Sequence, residues 1–211
     1  MNKSENKIYY LYIAFSFIFI AVTTNYLSLY DIIFVANQTD SLSYTAIAKN
    51  APLLSGENFF ILNNKETLIQ QHVAQRFVIP YIIGSIAHFL NVDFFLIFKL
   101  FTLIFIFFYI FLINILIKKL NFNFKVSILF FSILFLNPYV IRYHIFQPIM
   151  AHDMLFFCFG LLFSLTMISK KYFSNLLISI IAIYLRQTSI ALLIGSSIFL
   201  LINKKIKLFL L

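Results

Sequence analysis

The chain has 211 residues, 62% of them hydrophobic and 11% charged, with 29 Phe and no Trp, a composition that excludes an ordinary soluble domain and fits an integral membrane protein. Its formal charge of +9 could suit nucleic acid. The lysines, however, stand in pairs beside apolar runs and not as a stripe on a polar domain, so they read as topology markers and contacts to membrane lipids, and no nucleic-acid partner is expected.

Blocks of about ten residues with alternating polarity are missing, which disfavours a membrane β-barrel and leaves an all-α fold. The first apolar run, IYYLYIAFSFIFIAVTTNYLSLY, follows MNKSENK. It is long and lacks a small-residue cleavage pattern, so it predicts an uncleaved first helix. Residues 31 to 72 form the longest polar segment, the first outer loop. Within it DSLSYTAIAKNAP predicts a short amphipathic helix with Asp40 as its cap, Leu42, Ala46 and Lys49 on one face, and Pro52 at its end.

The next stretch, HVAQRFVIPYIIGSIAHFLN, contains Arg76, Pro80, Gly84 and His88 and is separated from the following run by only a turn. It predicts a re-entrant or interfacial helix over residues 73–90 that returns to the side it came from. Residues 94–117, 126–143 and 154–169 predict crossings. Residues 172–203 would span about 48 Å as one helix, too long for a single crossing. The sequence YLRQTS interrupts them, so they predict a helix pair, 172–185 and 187–203, with Arg186 and Gln187 at its outer turn. The expected architecture is a polytopic transmembrane bundle of about six crossings plus the 73–90 helix, in a single domain over residues 1–211, since no internal repeat or linker is found. The ending KKIKLFLL reads as the start of another helix, so a short or truncated chain, or the N-terminal module of a longer protein, is expected.

If residues 73–90 turn back, then Lys3, Lys7, Lys118, Lys119, Lys125, Lys170, Lys171, Lys204, Lys205 and Lys207 all fall on one side. By the positive-inside rule that side is the cytoplasm, with the N-terminus there. Asp31, Asp40, Glu57, Glu66, His72, Arg76, Arg142, His144, His152, Asp153 and Arg186 then share the outer face.

Within that outer set, Asp40 stands one helical turn before Tyr44 and could act as a general base or orient a hydroxyl; the plainer reading is a helix cap with an interfacial tyrosine. His152 and Asp153 precede an apolar run. Capping is the plain reading there too, but Arg142, His144 and Gln147 crowd the same short connection, and such a group in an apolar chain calls for a partner. Arg186 suits a phosphate near the head-group layer through its planar fork, against the alternative of snorkelling to lipid. Arg76 in QRFVIP is a second phosphate or sugar contact or an anchor for its helix. His88 and Lys99 receive no role. Cys158 is the sole cysteine, which rules out an internal disulfide and any cysteine-based metal site. Neither a glycine-rich phosphate loop nor HExxH nor GxSxG occurs, so nucleotide hydrolysis, zinc proteolysis and serine hydrolysis lack support.

The segments TDSLSY, QRFVIP, NPYVIRYHIFQPIMAHDML and LRQTSI together resemble the GT-C superfamily of membrane glycosyltransferases. Asp40 with Tyr44 looks like the acid and following aromatic of the family's first outer loop. Arg76 and Pro80 look like the Arg-x-x-x-Pro that opens the next helix. Pro138, Arg142 and Asp153 are similar to the second-loop pattern, and Arg186 resembles the basic residue near the donor phosphate. The resemblance implies a hexosyl- or pentosyltransferase of the cell envelope. Its donor would be a sugar linked to polyprenyl phosphate and its acceptor a glycan, lipid or protein at the outer face. Asp40 and Asp153 would be catalytic, with Tyr44, Arg76, Arg142, His152 and Arg186 binding substrate. The resemblance fixes no cofactor; a divalent metal, Mg or Mn, shared by Asp40, Asp153 and His152 is the weaker option. The rival expectation is a non-catalytic membrane protein: a transporter or flippase component, or a degenerate transferase that only binds lipid-linked sugar. Convergence of the polar groups in one place would favour the enzyme over that rival.

Overall fold

The computed structural model describes residues 3–24, 39–52, 76–186 and 189–202. Asp31, Glu57, Glu66, His72, Gln187 and the lysines at 204, 205 and 207 lie outside the described residues.

Every regular element among the described residues is helical. α1 is Lys3–Thr23, α2 Thr39–Asn50, α3 Val78–Leu90, α4 Phe94–Lys119 and α5 Phe124–Phe135. A π turn, Pro138–Arg142, leads into the single turn α6, Tyr143–Phe146; a 3-10 turn, Pro148–Met150, then opens α7, Ala151–Ile168. α8, Tyr172–Leu185, and α9, Ile190–Ile202, complete the order. Among the described residues 4 spans are long and apolar enough to cross a membrane: Ser4–Thr23, Phe94–Lys119, Phe124–Phe146 and Pro148–Ile168. The protein is an all-helical bundle of membrane type. The last two crossings expected from the sequence correspond to α8 and α9, which are apolar but have 14 and 13 residues, about 20 Å each.

Local chemistry sets the helix limits. Asp93, Asn123 and Asn137 cap the starts of α4, α5 and the π turn by accepting the backbone N–H groups of Phe95 (2.9 Å), Val126 (3.0 Å) and Tyr139 (3.0 Å). Asn91, Asn121 and Lys170 adopt left-handed φ values of 51°, 54° and 55° just past α3, α4 and α7. The residue after each donates back to a carbonyl five positions earlier, at 3.0, 3.3 and 2.9 Å, which closes the helix ends. The run 126–143, expected as one helix, breaks because Pro138 lacks an N–H and cannot continue α5. The connection expected to be an outer loop, RYHIFQPIMAHD, is therefore a succession of helical turns, with Gln147 alone between the two spans.

Side-chain contacts fix the direction of each helix. α7 runs parallel to α4: the Thr102 hydroxyl donates to the Pro148 carbonyl at 3.0 Å, the Cys158 thiol to the Phe105 carbonyl at 3.3 Å, and the Lys119 ammonium to the Ser169 hydroxyl. α1 follows α5, with the Tyr9 ring 6.0 Å from Phe131 and the Tyr12 and Ser132 hydroxyls 2.7 Å apart. α8 returns along α7, where Asn175 Nδ2 donates to the Phe163 carbonyl at 3.1 Å. α9 turns back along α8, with Tyr172 and Phe199 rings 6.0 Å apart. One end of the bundle thus collects Lys118, Lys119, Lys125, Lys170 and Lys171 together with the start of α1. The opposite end collects Arg76, Arg142, His144, His152, Asp153 and Arg186.

α3 stays at that second, polar end. Its Ile79, Ile83 and Ala87 share a core with Ile97 and Phe98 from the first turns of α4 and with Tyr44, Ile47 and Ala48 of α2. Its 13 residues, about 20 Å, do not reach the lysine end. Gly84 allows α2 to lie directly on α3, since a Cβ there would sit 2.0 Å from the Ala48 carbonyl oxygen. The face of α2 that packs is Tyr44, Ile47, Ala48 and Ala51, whereas Leu42 and Lys49 face outward.

Candidate functional site

His152 and Asp153 occupy the first turn of α7, which has no side-chain cap of its own. Asp153 Oδ1 lies 3.5 Å from His152 Nε2 and 3.5 Å from Arg186 Nη1. The plain reading of Asp153 as a helix cap therefore fails, because this oxygen accepts no hydrogen bond and its charge is spent on an arginine instead. Residue exposures of 1% for His152 and 6% for Asp153 put the carboxylate inside the protein, where an ionised group needs a partner.

The break after α8 supplies that partner. The Arg186 N–H donates to the Ala182 carbonyl at 3.0 Å, and the Ser189 hydroxyl donates to the same carbonyl at 2.8 Å. The helix end is thus satisfied while Arg186 itself is extended. Its guanidinium stands 5.7 Å from the centre of the Phe156 ring, a cation–π contact that adds to its hold on Asp153. The expected division of residues 172–203 at Arg186 is what brings this side chain to the site.

From the other flank, Tyr44 of α2 is fully buried, and its ring centre is 4.3 Å from that of His152, at an interplanar angle of 53°. Arg76, just before α3, donates from Nη1 to the Tyr44 hydroxyl at 3.5 Å. Arg76, Tyr44, His152, Asp153 and Arg186, drawn from segments far apart in sequence, thereby form one continuous row. The polar contacts along it sit at the outer limit of hydrogen bonding. Among the described residues, Arg76 Nε, both ring nitrogens of His152, Asp153 Oδ1, Arg186 Nε and the nearby His144 Nε2 find no hydrogen-bond partner. A buried polar atom left in that state costs about 1–3 kcal/mol, so a group of them in one place calls for partners beyond the described residues.

The remaining expected residues fall differently. Asp40 lies in the first turn of α2, one turn before Tyr44, and its side chain is outside the described residues. Arg142 does not join the row. It is exposed and lines a separate open cavity of about 610 Å³ with Thr23, Thr24, Pro138, Tyr139, Tyr143 and Phe146. The π turn explains the correction: Ile141 and His144 turn into the core, and Arg142 between them turns out. His88 is exposed at the far end of α3, and Lys99 is buried on α4. Among the described residues no group of three His, Cys, Asp or Glu side chains could hold a metal ion.

Sequence reasoning gave His144 no role, yet it is 1% exposed and within electrostatic reach of both Asp153 and Arg186. The available signal was the pair Pro138 and Pro148, which bracket His144 and break the helix on either side of it.

Comparison with known proteins finds no matching family model, curated protein or solved structure.

Proposed function

We propose that the chain is a GT-C-like glycosyltransferase module that moves a sugar from a polyprenyl-phosphate-linked donor to an acceptor at the outer face of a bacterial inner membrane, the lysine end lying in the cytoplasm. The observation that supports this reading is the gathering of Tyr44, Arg76, His152, Asp153 and Arg186 at the end opposite the lysines. On this reading Asp40 deprotonates or orients the acceptor hydroxyl, and attack from that side inverts the anomeric carbon. Arg186, assisted by Arg76, neutralises the departing lipid phosphate, whose charge grows in the transition state. His152 and Asp153 shape the acceptor side.

Replacing Asp40 by Asn tests the base. Transfer from a panel of polyprenyl-phosphate hexose and pentose donors in proteoliposomes should fall by about 10²–10⁴-fold with insertion unchanged, and full activity would remove Asp40 from the mechanism. Arg186→Ala should weaken donor binding by about 10–100-fold, the worth of a hydrogen bond to a charged group, and acceptor binding far less. An unchanged donor affinity would reduce Arg186 to a lipid anchor.

One observation favours a second reading. The carboxylate seen in the row, Asp153, is tied to Arg186 and is less available for proton transfer, as suits a flippase or transporter component, or a degenerate transferase, that binds lipid-linked sugar without cleaving it. Specific donor binding with no turnover on any acceptor would select it.

A further inference from the structure

Beside the acceptor-side place given to His152, the polar row and its neighbour His144 hold two buried histidines whose ring nitrogens neither the helix ends nor the arginine pair employs. His152 has both ring nitrogens without a hydrogen bond among the described residues. His144 is held in one tautomer by the π turn. In that turn the Tyr143 N–H reaches back to the carbonyls of Pro138 and Val140, and His144 Nδ1 also meets the Val140 carbonyl. A carbonyl only accepts, so Nδ1 carries a hydrogen, and in the neutral ring Nε2 bears the lone pair. Nε2 is buried and without a partner among the described residues, and the centre of its ring lies 5.1 and 5.7 Å from those of Tyr143 and Phe157. π turns inside helices recur at functional sites, and here the turn holds His144 Nε2 free of partners among the described residues, beside a cluster of charges.

The charges around the pair are Asp153 on α7, Arg186 after α8 and Arg76 before α3. Lys99 is buried on α4, and Asp40 begins α2 with its side chain outside the described residues. Arg76, Arg186 and Asp153 sum to a single positive charge. A sugar phosphodiester brings one negative charge, whereas the lipid phosphomonoester left after transfer brings nearly two. In a low-dielectric site the added charge is costly unless something compensates it.

We propose that His144 and His152 are the proton store of this site, taking up one proton when the bound lipid phosphate changes from diester to monoester. This rests on the transferase reading above. In the step, the acceptor O–H bond breaks against Asp40, and the proton passes on from that carboxylate to the histidine pair. The acceptor oxygen forms its bond to the anomeric carbon, and the bond from that carbon to the phosphate oxygen breaks with its electron pair. The charge gained by the phosphate equals the proton kept by the imidazoles, so the buried site ends the reaction as it began.

The test is proton uptake on binding, read by titration calorimetry of the full chain in nanodiscs at about pH 8, where a phosphomonoester is dianionic. Farnesyl phosphate and its methyl diester are compared in buffers of different ionisation enthalpy. Whatever Asp40 and Lys99 contribute at rest, the two ligands differ by one charge. The monoester should therefore take up about one proton more than the diester, and His144→Gln or His152→Gln should shrink that difference while the diester still binds. Equal proton counts in the unmodified protein would overturn the proton store and leave the phosphate-lipid reading standing. A full difference retained in both variants would overturn its assignment to these histidines, and failure of both esters to bind would overturn the two readings together.

Discussion

The two ends of the bundle are made by the same apolar helices and differ in what they do with charge. At the lysine end Lys118, Lys119, Lys125, Lys170 and Lys171 are all exposed, on short turns whose backbone is closed by Asn121 and by Lys170 itself in the left-handed region. These charges reach solvent or lipid head groups, and Lys119 also hydrogen-bonds the Ser169 hydroxyl where α4 meets α7. At the opposite end His144, His152 and Asp153 are buried, and they are reached by arginines from two other segments. A charge that a helix end can push outward marks topology; one that the fold draws inward, at the cost of its hydration, marks a site.

That difference is easiest to break at the contact that carries α2. Tyr44 reaches His152 because α2 lies on α3 at Gly84, where an added Cβ would be 2.0 Å from the Ala48 backbone oxygen. Backbone cannot yield as a side chain tip can, so Gly84→Ala should cost about 3 kcal/mol, the upper range of overpacking, and should disorder the row at the polar end. Gly160 in α7 has nothing within 4 Å of its Cβ position, so Gly160→Ala should gain up to about 1 kcal/mol from helix propensity. Unfolding in mixed micelles ranks the two; similar effects would mean that α2 is not seated as described.

The lysine end has its own buried polar residue for comparison. Asn175 is 1% exposed and donates from Nδ2 to the Phe163 carbonyl and the Thr166 hydroxyl, each at 3.1 Å, joining α8 to α7. Hydrogen bonds of this kind between membrane helices contribute about 0.6–2 kcal/mol. Asn175→Val should lose that much stability and leave donor binding unchanged, since the residue braces the helix pair far from Arg186. A large loss of binding would show that the hold of Arg186 depends on the whole length of α8.

How far these distinctions can be read in the sequence depends on the range of the interaction that decides them. Helix positions, the break at Arg186 and the return of α3 follow from run length, capping residues and proline, all local matters. The sharing of one end by Arg76, His152, Asp153 and Arg186 follows from counting crossings against lysine pairs. Which way each side chain turns is set by packing across the bundle. The amphipathic reading of α2 groups Leu42, Ala46 and Lys49 on one face but leaves open which face packs; Tyr44 and Ile47 are the residues that do, because α2 seats on Gly84 by that side. The π turn likewise shifts the helical phase between Pro138 and Arg142, so no 3.6-residue count could assign Arg142 and His144 to their respective faces.

The smallest expected effect falls on that pair of neighbours. Arg142 and His144 are two positions apart, and by type the arginine is the stronger candidate for a phosphate. Its exposure and its place in a cavity shared with Thr23 and Thr24 remove it from the row that Asp153 anchors. Arg142→Gln should therefore change stability by no more than about 0.5 kcal/mol and leave the affinity for a polyprenyl-phosphate donor within about twofold of the parent, because a difference below about 0.4 kcal/mol is all that a distant, solvated charge can impose. A tenfold loss would mean that the donor lies across both the row and the outer cavity, with its phosphate nearer Arg142 than Arg186; the two arginines would then have to be tested together, since residues sharing one ligand do not act additively.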